Sequence, residues 1–172
     1  MVGVGAGHLF DIQCPSRTLV AVDQNVESLR QDKAILASRG AELEILATDF
    51  KEASLLSDVV YFEFCLHEMV DPGAMLSHAK TLAPDIVAFD HSRDSPWSFY
   101  AAESEHVARS SMAMEGFGVR RRQTVCVEQR FPDYAELRAK LAAQGPLALE
   151  RVQRFAGRRD IVIPMTCQLV LL

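Results

Sequence analysis

Several features are scarce in this sequence, and each scarcity excludes a class of protein. The chain has 172 residues and only four cysteines, which are widely separated and form no C-x-x-C pair. We therefore expect neither a zinc finger nor a disulfide framework, and free thiols suit a reducing cytoplasm. No apolar run is long enough for a membrane span, and no signal peptide is recognisable before the first predicted strand. A net charge of -5 without a long basic stripe argues against a nucleic-acid partner.

Apolar residues are abundant by contrast, at 49% of the chain, which is enough for the core of one domain. Strand-like apolar runs alternate with segments of helical periodicity through the first half of the sequence. This alternation predicts an α/β fold in which helices cover both faces of a mostly parallel sheet. The predicted strands of this half are Val2–Val4, Thr18–Val22, Leu43–Leu46, Val59–Phe64 and Asp85–Phe89. Helices are predicted after Asn25 and after Asp71, because each of these residues suits a helix cap.

The second half departs from this alternation before returning to it. Residues 92–131 begin with an aromatic, irregular stretch and continue with a predicted helix at 101–115 and a short strand at 124–127. A helix capped by Asp133 and ended by Gly145-Pro146 follows. We expect two last strands, Leu149–Phe155 and Ile161–Leu172, to form an antiparallel pair at the end of the chain.

Glycines crowd the start of the chain. Gly3, Gly5 and Gly7 alternate with small apolar residues after a short strand, so a ligand could approach bare N–H groups there. The dinucleotide pattern G-x-G-x-x-G is not met, because His8 or Phe10 stands at the position of its last glycine. Asp23 ends the next strand, where a bound ribose needs an acceptor. The spacing therefore favours a nucleotide-type ligand and disfavours a nicotinamide cofactor.

The G-x-G-x-G spacing resembles motif I of the class I S-adenosylmethionine-dependent methyltransferases. Three further stretches resemble later motifs of that family in the same order: Val20–Asp23, Ala47–Phe50 and Asp58–Met69. The resemblance covers roughly the first 90 residues, and several motifs in the right order are more specific than any one of them.

The resemblance implies S-adenosylmethionine as the cofactor. It implies a doubly wound, mostly parallel seven-stranded sheet with an antiparallel C-terminal strand pair, and a single domain in which residues 92–131 form a substrate lid. Its cofactor-binding residues would be Gly3, Gly5, Gly7, Asp23, Asp49, Phe50 and Phe64.

Two departures from the family pattern keep a second interpretation open. Gly3 stands where the family usually has an acidic residue, and the helices that usually precede the first strand are absent from the sequence. A non-catalytic domain that binds the cofactor or a partner protein would be compatible with both features. A nicotinamide-dependent oxidoreductase is the third interpretation.

Acidic and histidine side chains follow the fourth and fifth predicted strands. In open α/β sheets, ligands bind at the carboxyl ends of the strands. Methyl transfer to a hydroxyl or carbon acid also needs a group that accepts a proton. We therefore assign catalytic roles to His67, His91 and Asp90. The acid–histidine pairs could also chelate a divalent metal ion. We assign no metal ligands, because the Asp/Asn set of the metal-dependent members is not found.

The acceptor is expected to be a small molecule. No Asn/Asp-Pro-Pro-aromatic motif follows the fourth strand, which disfavours methylation of base or glutamine amino groups. Aromatic and polar residues of the irregular segment, together with one residue after strand four, are assigned to the substrate. They are Glu68, Trp97, Tyr100 and His106. We expect a cytoplasmic protein without a membrane partner, either monomeric or homodimeric.

Overall fold

The computed structural model describes Val2 and residues 19–27, 29–30, 33 and 43–172. The strands in these ranges are β1 (Leu19–Asp23), β2 (Leu43–Ala47), β3 (Val59–Glu63), β4 (Asp85–His91), β5 (Arg121–Asp133) and β6 (Arg159–Leu171). The complete α-helices are α1 (Pro72–Leu82), α2 (Pro96–Tyr100), α3 (Ser104–Phe117), α4 (Tyr134–Leu141) and α5 (Pro146–Val152). Short 3-10 turns of the described residues lie at Phe50–Glu52, Ala142–Gln144 and Gln153–Phe155.

Val2 joins two groups of strands into one arrangement. β1 pairs with β2 in parallel, and β3 pairs with β4 in parallel. Val2 forms parallel bridges to both Val22 of β1 and Phe62 of β3, so it lies between them. β1 and then β2 follow on one side of Val2, and β3 and then β4 follow on the other. Val2 therefore marks a switch point of the topology, the place where open α/β sheets bind ligands.

The far side of the sheet is antiparallel. β6 pairs antiparallel with β4 on one side and with β5 on the other. The predicted α/β fold is confirmed in this coarser form: six strands and the Val2 bridges, in a sheet of mixed direction, with helices. Val4, the glycines of the first motif and most of the predicted helix after Asn25 lie outside the described residues.

Alternation along β6 separates the two main parts of the hydrophobic core. Ile161 and Ile163 pack in a cluster with residues of α2, α4 and α5, which we call the apolar cluster. Val170 and Leu172 pack in a different cluster with residues of α1, α3, β3 and β4. Because successive side chains of a strand point to opposite faces, these two clusters lie on opposite sides of β6.

Two of the predicted helix starts, at Asp71 and Asp133, are confirmed by their caps. The Asp71 side chain accepts a hydrogen bond from the backbone N–H of Ala74 at 2.9 Å, at the start of α1. The Asp133 side chain accepts one from the N–H of Glu136 at 3.0 Å, at the start of α4. Both side chains satisfy donors that the first helical turn leaves unpaired.

The predicted strand at Leu149–Phe155 is wrong, because this segment is helical. Pro146 follows Gly145, whose φ of +90° suits glycine, and occupies the first turn of α5. A proline there costs nothing, so it begins the helix rather than only ending the previous one. Ala148 and Val152, four residues apart, are both buried, which is the spacing of one helix face.

In the predicted terminal pair, β5 stands beside β6 in place of the segment 149–155. β5 runs over 13 residues, where the sequence predicted a strand of only four, at 124–127. Most of its side chains are exposed, so it lacks the apolar alternation by which longer strands are recognised. The irregular aromatic stretch contains the short helix α2, and the predicted helix at 101–115 is α3. Within the described part of the chain, none of the helices combines the length and apolar character needed to cross a membrane.

Candidate functional site

The carboxylate of Asp90 ties together the ends of β3 and β4. Its Oδ2 accepts a hydrogen bond from the backbone N–H of His67 at 3.0 Å. Its Oδ1 lies 2.5 Å from Nδ1 of the His67 ring and accepts a further bond, at 2.8 Å, from the backbone N–H of His91. All three residues are buried. Asp90 therefore fixes the position and the ring orientation of His67.

His67 consequently presents its other ring nitrogen, Nε2, away from Asp90. Burial lowers the pKa of His67, but the hydrogen bond and the charge of Asp90 outweigh it and raise the pKa above the usual value, with help from Glu103 and Glu68. A carboxylate bound to Nδ1 also fixes which ring nitrogen carries the proton in the neutral form. Nε2 is then the atom that is free to act as a base or a ligand.

His91 lies beside this pair. The centroids of the His67 and His91 rings are 5.3 Å apart, and the ring of Phe64 packs on the other side at 5.1 Å. Burial, with the neighbouring charge of His67, lowers the pKa of His91 to about 4. Its Nδ1 is buried and has no hydrogen-bond partner among the described residues. Buried polar atoms without a partner are uncommon, and they are informative near a site.

Glu103 completes the group, and the sequence analysis did not assign it to the site. Its Oε2 lies 3.8 Å from Nε2 of His67 and 3.8 Å from Nε2 of His91. Burial raises the pKa of the Glu103 carboxyl, although His67 acts in the opposite direction. No sequence pattern links Glu103 to two strand ends far away in the chain. We call the four residues His67, Asp90, His91 and Glu103 the polar cluster.

Two unusual backbone conformations flank the polar cluster. Phe64, directly after β3, has φ = +47°, and Ala102, directly before Glu103, has φ = +62°. Residues other than glycine rarely adopt this left-handed backbone conformation, and such backbone strain tends to occur at functional sites. Here it bends the chain at the two places from which His67 and Glu103 reach the cluster.

The residues predicted to bind the cofactor are only partly described. Gly3, Gly5 and Gly7 lie outside the described residues. Asp23 is the last residue of β1, and its Oδ1 accepts the backbone N–H of Asn25 at 2.8 Å. Burial raises the pKa of the Cys65 thiol. The negative charges of nearby carboxylates raise it further, with the largest effect from Asp90 and a smaller one from Asp23. The thiol donates to the carbonyl of Val2 at 3.2 Å. Cys65 therefore contacts Val2 and is close enough to Asp90 and Asp23 for both carboxylates to act on its thiol.

Asp49 and Phe50 follow β2, as predicted, but in different environments. The Asp49 side chain caps the turn at Phe50–Glu52 by accepting the N–H of Lys51 at 3.1 Å, and this bond lowers its pKa. The ring of Phe50 is buried and packs edge-on against Phe62 at 5.3 Å. The side chain of Phe50 therefore belongs to the core.

The residues assigned to the substrate are not all in one place. Glu68 is exposed next to His67, and His106 is exposed on α3. Tyr100 is half-buried, with its ring 5.3 Å from that of Phe155. Trp97 is buried in the apolar cluster and stacks on Phe131 at 5.9 Å. The buried position of Trp97 argues against the predicted contact between this side chain and the acceptor.

Comparisons with known proteins place this geometry in a known fold. No protein-family model and no curated protein matches the chain. A methyltransferase candidate, BH2331 from Bacillus halodurans, matches with a TM-score of 0.65 and 17% identity over 99% of this chain and 89% of that chain.

Two further solved structures match over most of this chain. YcgJ from Bacillus subtilis matches with a TM-score of 0.63 and 12% identity, over 99% of this chain and 87% of that chain. The plantazolicin methyltransferase BpumL, in complex with S-adenosylhomocysteine, matches with a TM-score of 0.53 and 17% identity, over 98% and 73%. At such low identities the comparisons establish the fold alone: this chain has the fold of the class I S-adenosylmethionine-dependent methyltransferases.

Proposed function

We propose that the protein transfers the methyl group of S-adenosylmethionine to a small-molecule acceptor. One observation carries this proposal: a buried polar cluster lies at the carboxyl ends of β3 and β4, beside the switch point at Val2. Burying polar groups is costly, so such a cluster is characteristic of a site. The structural similarity to BpumL, which was crystallised with S-adenosylhomocysteine, supports this cofactor.

The proposed cofactor position runs from Asp23 to the polar cluster. Asp23 would accept hydrogen bonds from the ribose hydroxyls, since it is half-buried at the carboxyl end of β1. Gly3, Gly5 and Gly7 follow Val2 in sequence and would supply bare N–H groups next to the switch point. Asp49 and the backbone of Phe50 follow β2 and would border the adenine. Phe64 would border the end of the cofactor that carries the sulfonium and its methyl group.

Transfer itself is an in-line displacement. The bond from the sulfonium sulfur to the methyl carbon breaks as the bond from that carbon to the acceptor forms, which leaves S-adenosylhomocysteine. The protein's main task is to align the two reactants and exclude water. We assign His67 and His91 to contact the acceptor and to favour its deprotonated form. Asp90 acts as the positioning residue, because it holds His67 through both the ring and the backbone.

The acceptor would lie under the segment that contains α2 and α3. Residues 92–131 were expected to be a lid, but residues from 121 onwards belong to β5. The proposed lid is therefore limited to the part before β5, with Tyr100 and Glu68 as acceptor contacts. His106 is exposed on α3 and would contact only an acceptor that extends out of the pocket.

A thermal-shift titration tests the cofactor directly. S-adenosylhomocysteine at a hundredfold its dissociation constant adds about 2.7 kcal/mol to the free energy of unfolding, which raises the midpoint of a domain of this size by several degrees. The same titration with NADH should give no shift. A shift with NADH alone would favour an oxidoreductase. If S-adenosylhomocysteine binds but no acceptor in a broad panel is methylated, the non-catalytic interpretation gains support.

A further inference from the structure

Two imidazoles and one carboxylate of the polar cluster point at one another. His67, His91 and Glu103 each offer a ligand atom, and these three atoms lie within 4.8 Å of one another. Oε2 of Glu103 is the same distance, 3.8 Å, from Nε2 of each histidine. This separation is too long for a hydrogen bond, so the three side chains surround a space without bonding to each other. We propose that His67, His91 and Glu103 bind one divalent transition-metal ion.

The donor set and its dimensions suit such an ion. Imidazole nitrogen with a single carboxylate is a ligand set of zinc and of non-haem iron, whereas magnesium and calcium prefer oxygen alone. Ligand bonds of about 2.1 Å separate neighbouring donors by about 3 to 3.5 Å. Oε2 of Glu103 stands a few tenths of an ångström further than this from each histidine, at 3.8 Å. The two histidine donors lie within 4.8 Å of each other. Side-chain rotations that bring the three donors together would close the site.

Asp90 binds the ring nitrogen of His67 that would face away from a bound metal ion. Metal-binding histidines nearly always donate their other ring N–H to a carboxylate, a carbonyl or a water, which orients the ring and makes it a better ligand. His67 has such a partner, whereas Nδ1 of His91 has none among the described residues. Nδ1 of His67 meets Oδ1 of Asp90 at 2.5 Å, which directs Nε2 towards Glu103 and His91. If the His67–Asp90 hydrogen bond had only a structural role, it would not explain why His91 and Glu103 also face Nε2 of His67.

The charge around the site favours a cation. Asp90 and Glu103 are carboxylates with side chains only 1% and 12% exposed, and Glu68 stands nearby on the solvent side. In a buried place, such a concentration of acidic groups is favourable only with compensating positive charge. Within the described residues the cluster contains no lysine or arginine. A protonated His67 supplies part of that charge, and a divalent ion would supply more of it.

The role of the ion in the reaction rests on the proposed function. A bound ion of this kind lowers the pKa of a coordinated hydroxyl. Three ligands from the protein leave coordination positions open, so an acceptor oxygen could bind there. This narrows the acceptor class to molecules with a metal-binding hydroxyl or phenol. His67 and His91 would then act on the acceptor as ligands of the ion.

Metal binding can be measured without any activity. Tag-free protein, treated with a chelator and then dialysed, should bind one Zn²⁺ or Co²⁺ per chain in isothermal titration calorimetry. Bound Co²⁺ should show the visible ligand-field spectrum of a site with nitrogen ligands. Glu103→Gln and His91→Gln should each abolish this spectrum, and Asp90→Asn should weaken binding by about 10- to 100-fold.

Glu105→Gln is the matched control, because Glu105 is exposed in the first turn of α3, two residues after Glu103. It should bind Co²⁺ as the unchanged protein does. Thermal unfolding shows which variants fold. The test needs only one of the two ligand variants, Glu103→Gln or His91→Gln, to be folded. The proposal is overturned if the unchanged protein takes up no Co²⁺, or if Glu103→Gln and His91→Gln bind it equally well.

Titration with S-adenosylhomocysteine in the presence of a chelator separates this proposal from the proposed function. Cofactor binding without metal uptake would support the proposed methyl transfer and contradict the proposed metal site. Metal uptake without cofactor binding would support the metal site and contradict methyl transfer from S-adenosylmethionine.

Discussion

The polar cluster and the apolar cluster are both buried, but they are built on opposite principles. The apolar cluster packs Trp97, Phe131, Leu137 and Leu141 between helices and the two long strands, and every buried member is hydrophobic. The polar cluster brings two histidines and two acids together at the ends of β3 and β4, beside strained backbone at Phe64. One cluster gains free energy by removing apolar surface from water, whereas the other loses free energy unless each polar group is satisfied.

This difference separates stability from function within one domain. Residues of the apolar cluster should affect the free energy of unfolding and leave ligand affinity unchanged. Residues of the polar cluster should affect chemistry more than folding. Four substitutions test this separation, from the largest expected effect to the smallest.

Leu141→Ala should have the largest effect. The side chain is fully buried on α4, within the apolar cluster, so truncation leaves a cavity and should lower the free energy of unfolding by about 2 to 5 kcal/mol. Chemical denaturation measures this loss. The affinity of the folded variant for S-adenosylhomocysteine should not change. A parallel loss of affinity would mean that the two clusters are coupled.

His67→Gln should mainly affect the reaction. Glutamine keeps a polar side chain of similar length but loses the basic ring nitrogen, so the rate of methyl transfer should fall by about 100-fold or more. Initial rates with an accepted substrate measure this change, and the denaturation midpoint serves as the control. A variant that transfers methyl groups at the original rate would remove His67 from the catalytic assignment.

Asp23→Ala should weaken cofactor binding. Loss of a charged acceptor for two ribose hydroxyls should reduce affinity for S-adenosylhomocysteine by about 10- to 100-fold, because hydrogen bonds to charged groups contribute about 1.5 to 3 kcal/mol. Calorimetry measures the affinity. Asp58→Ala is the control, since Asp58 is exposed before the amino end of β3. Equal affinities in the two variants would remove the ribose assignment.

Arg130→Ala should have almost no effect. Arg130 pairs with Glu128 on the exposed side of β5, and the Arg130 side chain is 72% exposed. Such surface pairs contribute about 0 to 1 kcal/mol, so the denaturation midpoint should hardly move. A large loss would indicate that β5 is buried by a partner, such as a second copy of this chain.

Local patterns in the sequence predicted the parts of the fold that local forces determine. Asp71 and Asp133 were correctly predicted as helix caps, and β2, β3 and β4 were predicted nearly to their ends. The short segment after Pro146 was wrongly predicted as a strand, because seven residues carry too few apolar positions to separate the two periodicities. β5 was predicted too short, since its exposed side chains gave no alternation.

The candidate site was predictable only where a residue follows a strand. The proximity of His67, Asp90 and His91 was predictable because the ends of parallel strands meet at one edge of a sheet. Glu103 could not be assigned to the same place, because its position depends on the turn at Ala102 and on how α3 docks, which are tertiary features. Trp97 looked like a pocket residue by composition, but its partner Phe131 lies far away in the sequence.

A crystal structure of the protein with S-adenosylhomocysteine tests the central claim most directly. The account predicts that the ribose hydroxyls meet Asp23 and that the sulfur lies at the carboxyl end of β3, facing the space between His67, His91 and Glu103. S-adenosylhomocysteine bound away from these strand ends, or with its sulfur turned from the polar cluster, would contradict the account.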